Sequence, residues 1–271
     1  MLKFRQTIAA AIGAIGATVA YVPVHAALLP SVLIIVDEGG GASGAPVAQL
    51  QASGLFSSVT AFDENSGNPL PTLSNYSSIL AYTDSIPNNQ VGLGNALLSY
   101  VQGGGGLVLG AYALSPTWGI LGGIMGAGYS PFTINTTTTV TGTLTAVVPG
   151  SYLFNGINLA NLTYWSNSNY GNPTLNSGGT LLATDGNGVA MIGMNAAGNV
   201  IADNIFPNSD FQTNPIIYQL LSQELACVAN AGGCPVSGPL TPPSNVPEPA
   251  SMMLIASGVA GLLAARRRRR G

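Results

Sequence analysis

The sequence predicts an α/β domain built on an open, mostly parallel sheet flanked by helices, with a β-rich second half and a single transmembrane helix behind it. Three observations predict this. Residues 32–37 form an unbroken apolar run with β-branched side chains that ends in acids and then Gly39, Gly40 and Gly41, the pattern of a parallel strand buried on both faces. Strand-like and helix-like segments then alternate with short glycine-rich connections, as right-handed crossovers between parallel strands require. A proline-rich stretch finally separates this body from the uncharged residues 250–265 and a terminal arginine cluster.

Residues 1–26 read as a secretory signal peptide: Lys3 and Arg5 in front, an apolar stretch over 8–22, and a small-residue exit at Val24, His25 and Ala26 for signal peptidase. An uncleaved anchor is the lesser reading, because Gly13 and Gly16 interrupt the stretch and Pro23 precedes the exit. The exported domain is then 27–238. After the first strand, Pro46 opens a short helical pattern with Val47, Leu50 and Leu55, and residues 58–62 form a second strand ending at Asp63 and Glu64. A third strand follows at 78–82. Asn89 is placed to N-cap a helix carrying Val91, Leu97, Leu98 and Val101, with Gly103 as a left-handed stop before a fourth strand at 107–112.

The second half is less regular. Residues 133–140 and 143–148 are rich in β-branched side chains and are expected to pair as strands. Residues 180–184 and 189–192 flank an Asp-Gly-Asn-Gly turn signature, which predicts a hairpin, and 200–205 reads as one more strand. Asn214 as N-cap, Pro215 at the first helical position and Ile217, Leu220, Leu221, Leu225 and Val228 on one face predict a closing helix that ends at Gly232.

Charge excludes more chemistry than any motif. All seven basic residues lie at the two ends, and the only histidine is His25. Of the ten acids only Glu248 lies outside residues 27–246, so that stretch holds nine acids and no cation, a side-chain charge of −9. A Ser-His-Asp or Cys-His site needs an imidazole and a Schiff base needs a lysine, so neither can be assembled there. Nucleic acid is excluded as a ligand, because phosphate binding is driven by cationic side chains. Cys227 and Cys234 are the only cysteines; a turn at Gly232 and Gly233 would bring them within bridging distance, and an exported chain favours a disulfide over free thiols.

Residues 239–249 are a proline-rich, stiff spacer. Residues 250–265 would cover about 24 Å as a helix, a marginal transmembrane span. Arg266, Arg267, Arg268, Arg269 and Arg270 each cost roughly 2.5–3.5 kcal/mol at mid-membrane, so they stop translocation and leave 266–271 in the cytoplasm. The order Val246, Pro247, Glu248, Pro249, then an apolar helix, then a terminal arginine cluster resembles the PEP-CTERM sorting signal of Gram-negative bacteria. The resemblance implies export across the inner membrane, transient anchoring there, and recognition at Pro247, Glu248 and Pro249 by an exosortase, a membrane-embedded cysteine transpeptidase-like enzyme. It further implies removal of the tail and delivery to the cell surface or its exopolysaccharide matrix.

The body resembles the class I glutamine-amidotransferase-like fold, a flavodoxin-like arrangement, and especially its trehalose-utilisation-type branch. The matching stretches are 32–37, 77–83, 98–110, 149–157 and the closing helix. Active relatives carry a cysteine on the turn after the fourth strand, with a distant His and Glu. Here that turn reads Gly110, Ala111, Tyr112, Ala113, Leu114, so the resemblance implies the fold without the chemistry.

Asp37, Glu38, Asp63, Glu64 and Asp84 are expected at the carboxyl ends of neighbouring strands, where open α/β sheets place their ligand crevice. Paired carboxylates there would suit Ca²⁺, which takes oxygen ligands; solvated strand-end acids are the simpler reading, and no other cofactor is implied. Trp118, Tyr129, Tyr152, Tyr164, Trp165 and Tyr170, interleaved with Asn and Ser, suit stacking on extracellular polysaccharide, although half-buried packing explains most such aromatics. The expected function is therefore a non-catalytic, surface-sorted structural or binding component of the exopolysaccharide matrix. The alternative is a saccharide hydrolase working with paired carboxylates alone.

Overall fold

The computed structural model describes residues 29–38, 41–134, 142–164, 173–230 and 232–236. The signal peptide, the spacer, the apolar segment 250–265, the arginine cluster, Trp165 and Tyr170 lie outside the described residues. Among the described residues no helix is long and apolar enough to cross a membrane.

The strands are β1 (Ser31–Asp37), β2 (Ser58–Asp63), β3 (Ser78–Thr83), β4 (Gly106–Leu109), β5 (Phe132–Ile134), β6 (Leu144–Ala146), β7 (Pro173–Leu175), β8 (Thr180–Asp185), β9 (Ala190–Met194) and β10 (Val200–Asp203). Three α-helices accompany them among the described residues, α1 (Val47–Ala52), α2 (Gln90–Gln102) and α3 (Pro215–Val228). Eight strands form one sheet in the order β2-β1-β3-β4-β10-β9-β8-β6, and β5 pairs with β7 apart from it. β2, β1, β3, β4 and β10 run parallel, whereas β9, β8 and β6 continue the sheet antiparallel. The expectation of a mostly parallel sheet with a β-rich second half thus holds in a specific form: the second half extends the same sheet.

Side-chain alternation along the parallel strands divides the core. Val32, Ile34, Val36, Leu80 and Val108 face the side covered by α1 and α3, where Leu50, Leu220, Leu221 and Leu225 meet them. Leu33, Ile35, Ile79, Ala81, Leu107 and Leu109 face the other side, against Leu93, Leu97 and Val101 of α2. Because both faces are covered, the strands carry apolar residues at every position, which is why they read as continuous runs. Asn89 caps α2 by accepting from the Gly92 amide at 2.9 Å, and Asn214 caps α3 by accepting from the Ile216 amide at 3.1 Å.

Four local expectations need correction. The left-handed residue after α2 is Gly104, at φ +94°, not Gly103, at φ −75°. β4 stops at Leu109: the Gly110 amide makes one last bond to the Ala81 carbonyl at 2.9 Å, and the chain then turns. The segments at 133–140 and 143–148 do not pair with each other among their described residues, since β5 takes β7 as partner and β6 takes β8. α3 ends at Val228 rather than Gly232, because the Cys227–Cys234 disulfide, with Cα atoms 4.8 Å apart, draws the chain back. There the Cys234 amide bonds to the Gly198 carbonyl at 2.7 Å, tying the helix end to the β9–β10 turn.

Candidate functional site

The carboxyl ends of β1, β2 and β3 bring the predicted acids to one edge, and the fold then assigns most of them to internal partners. Asp37, the last residue of β1, is buried, and its Oδ1 accepts from Asn65 Nδ2 and Ser85 Oγ. Its carbonyl also accepts from the amides of Asp84 and Ser85, at 2.6 and 3.0 Å, which folds the β3 exit back over β1. Asp63 accepts from the Asn65 amide at 2.9 Å and starts a helical turn, while Glu64 receives the amides of Asn88 at 2.7 Å and Asn89 at 3.2 Å. Asp185 likewise closes the β8–β9 turn by accepting from Asn187 and Val189, at 2.8 and 2.7 Å.

Glu38 points to a different set of partners from its neighbour Asp37. Its Oε1 accepts from Tyr82 Oη and Asn208 Nδ2, both at 2.6 Å, and its Oε2 from the Gly44 amide at 3.2 Å. Burial pushes its carboxyl above the ordinary range, with these bonds opposing the shift and Asp84 adding to it. Asp84 is raised as well, by burial first and by the charge of Asp37 second. Burial, followed by the charge of Glu38, drives the Tyr82 phenol far above its usual value, so it remains a donor at every working pH. Asp37 and Asp84 are thus close enough to interact, yet among the described residues no group of three or more His, Cys, Asp or Glu side chains converges as a metal site would require.

Beside this acidic edge lies an aromatic cluster. Tyr112, on the turn after β4, stacks on Trp118 with centroids 5.9 Å apart and meets Phe206 edge-on at 5.1 Å. Phe206 in turn contacts Tyr82 at 5.8 Å and Phe211 at 6.2 Å. Trp118 is 38% and Phe211 47% exposed, so the cluster reaches the surface. Tyr112 is the one described non-glycine residue with positive φ, +65°. A non-glycine side chain held there costs of order 1 kcal/mol or more, and the ring contacts on both sides are what hold it. This is the turn on which the resemblance expects a nucleophilic cysteine. The sharp backbone is retained and the side chain is a packed phenol.

Sequence reasoning missed the most unusual polar residues of the body. Asp203, at the end of β10, and Glu224, in α3, are both buried in the core. No hydrogen bond of ordinary geometry satisfies either oxygen of Glu224, but Asp203 lies close enough for the two carboxyls to share a proton. Burial, the largest cause, raises both; the adjacent carboxyl raises Glu224 further, while the Ile205 amide, bonded to Asp203 at 3.0 Å, opposes the shift there. The signal was available: position 224 sits among Leu220, Leu221 and Leu225 on the apolar face, in a body without cations to pair with.

Comparison with protein families matches the PEP-CTERM protein-sorting motif over residues 245–269. The chain therefore carries the tail of an exported protein that exosortase processes. Comparison with the curated proteins gives no significant match. Among solved structures, a protein described as thua-like from Bacteroides uniformis is 15% identical with a TM-score of 0.52, covering 79% of this chain and 98% of its own, a likeness of fold. A GMP synthase component from Thermoplasma acidophilum is 11% identical, with a TM-score of 0.47 over 72% of this chain and 92% of its own. A glutamine amidotransferase from Methylobacillus flagellatus is 10% identical, with a TM-score of 0.45 over 66% and 70%.

Proposed function

We propose that the chain, an exported protein processed by exosortase, is a non-catalytic binding component of the extracellular polysaccharide matrix. In this reading signal peptidase cuts after Ala26 and the folded body at 27–238 is exported. Residues 250–265 hold the chain in the inner membrane with 266–271 in the cytoplasm, and exosortase recognises Pro247, Glu248 and Pro249 and removes the tail. The single observation that carries the reading is the sorting motif over 245–269. Two features of the body support its non-catalytic part: Tyr112 occupies the sharp turn after β4, and no imidazole, ammonium or guanidinium side chain exists between residues 27 and 246. The exposed Trp118 and Phe211 support contact with sugars, whose C–H faces stack on aromatic rings.

The experiment is co-sedimentation of the processed protein with matrix polysaccharide extracted from the producing cells, in parallel with fractionation of cells lacking exosortase. The reading expects co-sedimentation, and retention of the longer chain in the membrane fraction when exosortase is absent. Protein that stays in the supernatant while the polymer sediments, or is released at normal length without exosortase, contradicts it.

The hydrolase alternative draws on one observation: burial raises Glu38 and Asp84, as a general acid requires. Single substitutions of Asp37, Glu38 and Asp84 should each abolish release of reducing sugar from the matrix polymer if it is right. Absence of any turnover by the native protein, or rates unchanged in all three variants, rejects it.

A further inference from the structure

We propose that the cleft between α1 and α3 is a binding subsite for one neutral sugar unit of a polysaccharide. The proposal rests on the matrix-binding reading above and gives it a location away from the strand-end acids. The cleft holds about 510 Å³, within the range of small-molecule sites. Leu55, Ala52, Pro215 and the Tyr218 ring supply its apolar lining, and the amides of Gln49, Gln219 and Gln223 and the hydroxyl of Ser222 its polar part.

Two polar atoms in that lining are buried without partners among the described residues. Ser222 is 1% exposed and its Oγ makes no hydrogen bond, although a serine inside a helix can return its proton to the carbonyl one turn back. Gln223 donates from Nε2 to the Asn155 carbonyl at 2.9 Å, which fixes the amide and leaves its Oε1 buried with no donor. Each such atom costs about 1–3 kcal/mol unless something fills the gap. The group that satisfies a lone hydroxyl and a lone carbonyl oxygen together is one that both donates and accepts, which is a hydroxyl.

The charge pattern narrows the ligand further. Among the described residues no charged side chain lines the cleft, and the surrounding body is anionic throughout, so phosphorylated or carboxylated ligands find no counter-charge. A pyranose matches what remains: a rim of hydroxyls for the amides and Ser222, and C–H faces for the apolar lining. The Tyr218 hydroxyl already donates to the Gln212 carbonyl at 3.0 Å, which holds the ring in place before any ligand arrives.

The test is calorimetry on the processed protein with two probes: intact matrix polysaccharide, and the neutral di- to tetrasaccharides released from it by partial acid hydrolysis. Oligosaccharides of uronic acid serve as the charged control. The variants are Ser222→Ala and Gln219→Ala, singly and together, with thermal unfolding to report that they fold. The proposal expects the neutral oligosaccharides to bind, the uronic acid probe to bind at least tenfold more weakly, and the double variant to lose at least tenfold in affinity with its melting temperature unchanged. Polymer binding with full affinity retained in the double variant overturns the subsite and leaves the matrix reading standing. Failure of the native protein to bind either neutral probe overturns both.

Discussion

The carboxyl edge of the sheet and the α1–α3 cleft are both lined with polar side chains, and they differ in whether those side chains already have partners. At the edge, Asp37, Glu38, Asp63 and Glu64 accept hydrogen bonds from Asn65, Ser85, Tyr82, Asn208 and nearby backbone amides. In the cleft, Ser222 Oγ and Gln223 Oε1 have none among the described residues. In a body without cations, acids that end strands are consumed in holding the loops that follow them. Unspent hydrogen-bonding capacity is then a better guide to a ligand than formal charge.

The core pair extends the comparison and gives the largest expected effect. Asp203 and Glu224 are raised above their unfolded values, so the native state holds protons that the unfolded chain has lost above about pH 4. Their contribution is complete below the unfolded value and is lost as pH rises through the folded one. The groups facing them through space are Tyr164, pushed up to about 12, and Asp185, and the raised Glu38 and Asp84 act in the same direction. Urea unfolding should show stability falling by on the order of a few kcal/mol between about pH 4 and pH 8, and Glu224→Gln should flatten most of that slope. A stability that rises over this interval would contradict the protonated pair.

Next in size is Glu38→Ala, which strands Tyr82 Oη and Asn208 Nδ2 at a partly buried site and should cost about 2–4 kcal/mol, with Glu38→Gln costing less. Unchanged urea midpoints in Glu38→Ala would break the comparison, because the edge would then be free for a ligand after all. Replacing Cys227 and Cys234 by serine should cost about 2–3 kcal/mol, the entropy expected of so short a loop, measured by the same unfolding curves. The smallest effect sharpens the cleft: Ser222→Ala removes an unsatisfied hydroxyl and should leave stability unchanged or raise it by up to about 1 kcal/mol, whereas a clear loss would mean that the hydroxyl has a partner.

Legibility in the sequence follows burial. β1, β3 and β4 are covered on both faces and announce themselves as apolar runs, and Asn89 and Asn214 mark helix starts because capping is local chemistry. The stop after α2 falls one residue later than expected because residues 103–106 are all glycine and any of them tolerates the left-handed turn. The β5–β7 pair joins two three-residue strands remote in sequence, which periodicity cannot foresee. Position alone finds the strand-end acids, but that they are already bonded depends on Asn65, Ser85 and Asn208, which only the fold brings near. The cleft is invisible to sequence for a related reason: glutamine and serine on a helix carry no motif, and what distinguishes Ser222 and Gln223 is the absence of partners.

The most direct test of the account is the intact mass of the native protein isolated from the cell surface and matrix of its producing cells. The account predicts a chain that begins at Ala27, has lost the arginine cluster, and gains no mass on alkylation without reductant because Cys227 and Cys234 are joined. A full-length chain recovered from the cytosol, with Lys3 and Arg270 both present, would contradict it.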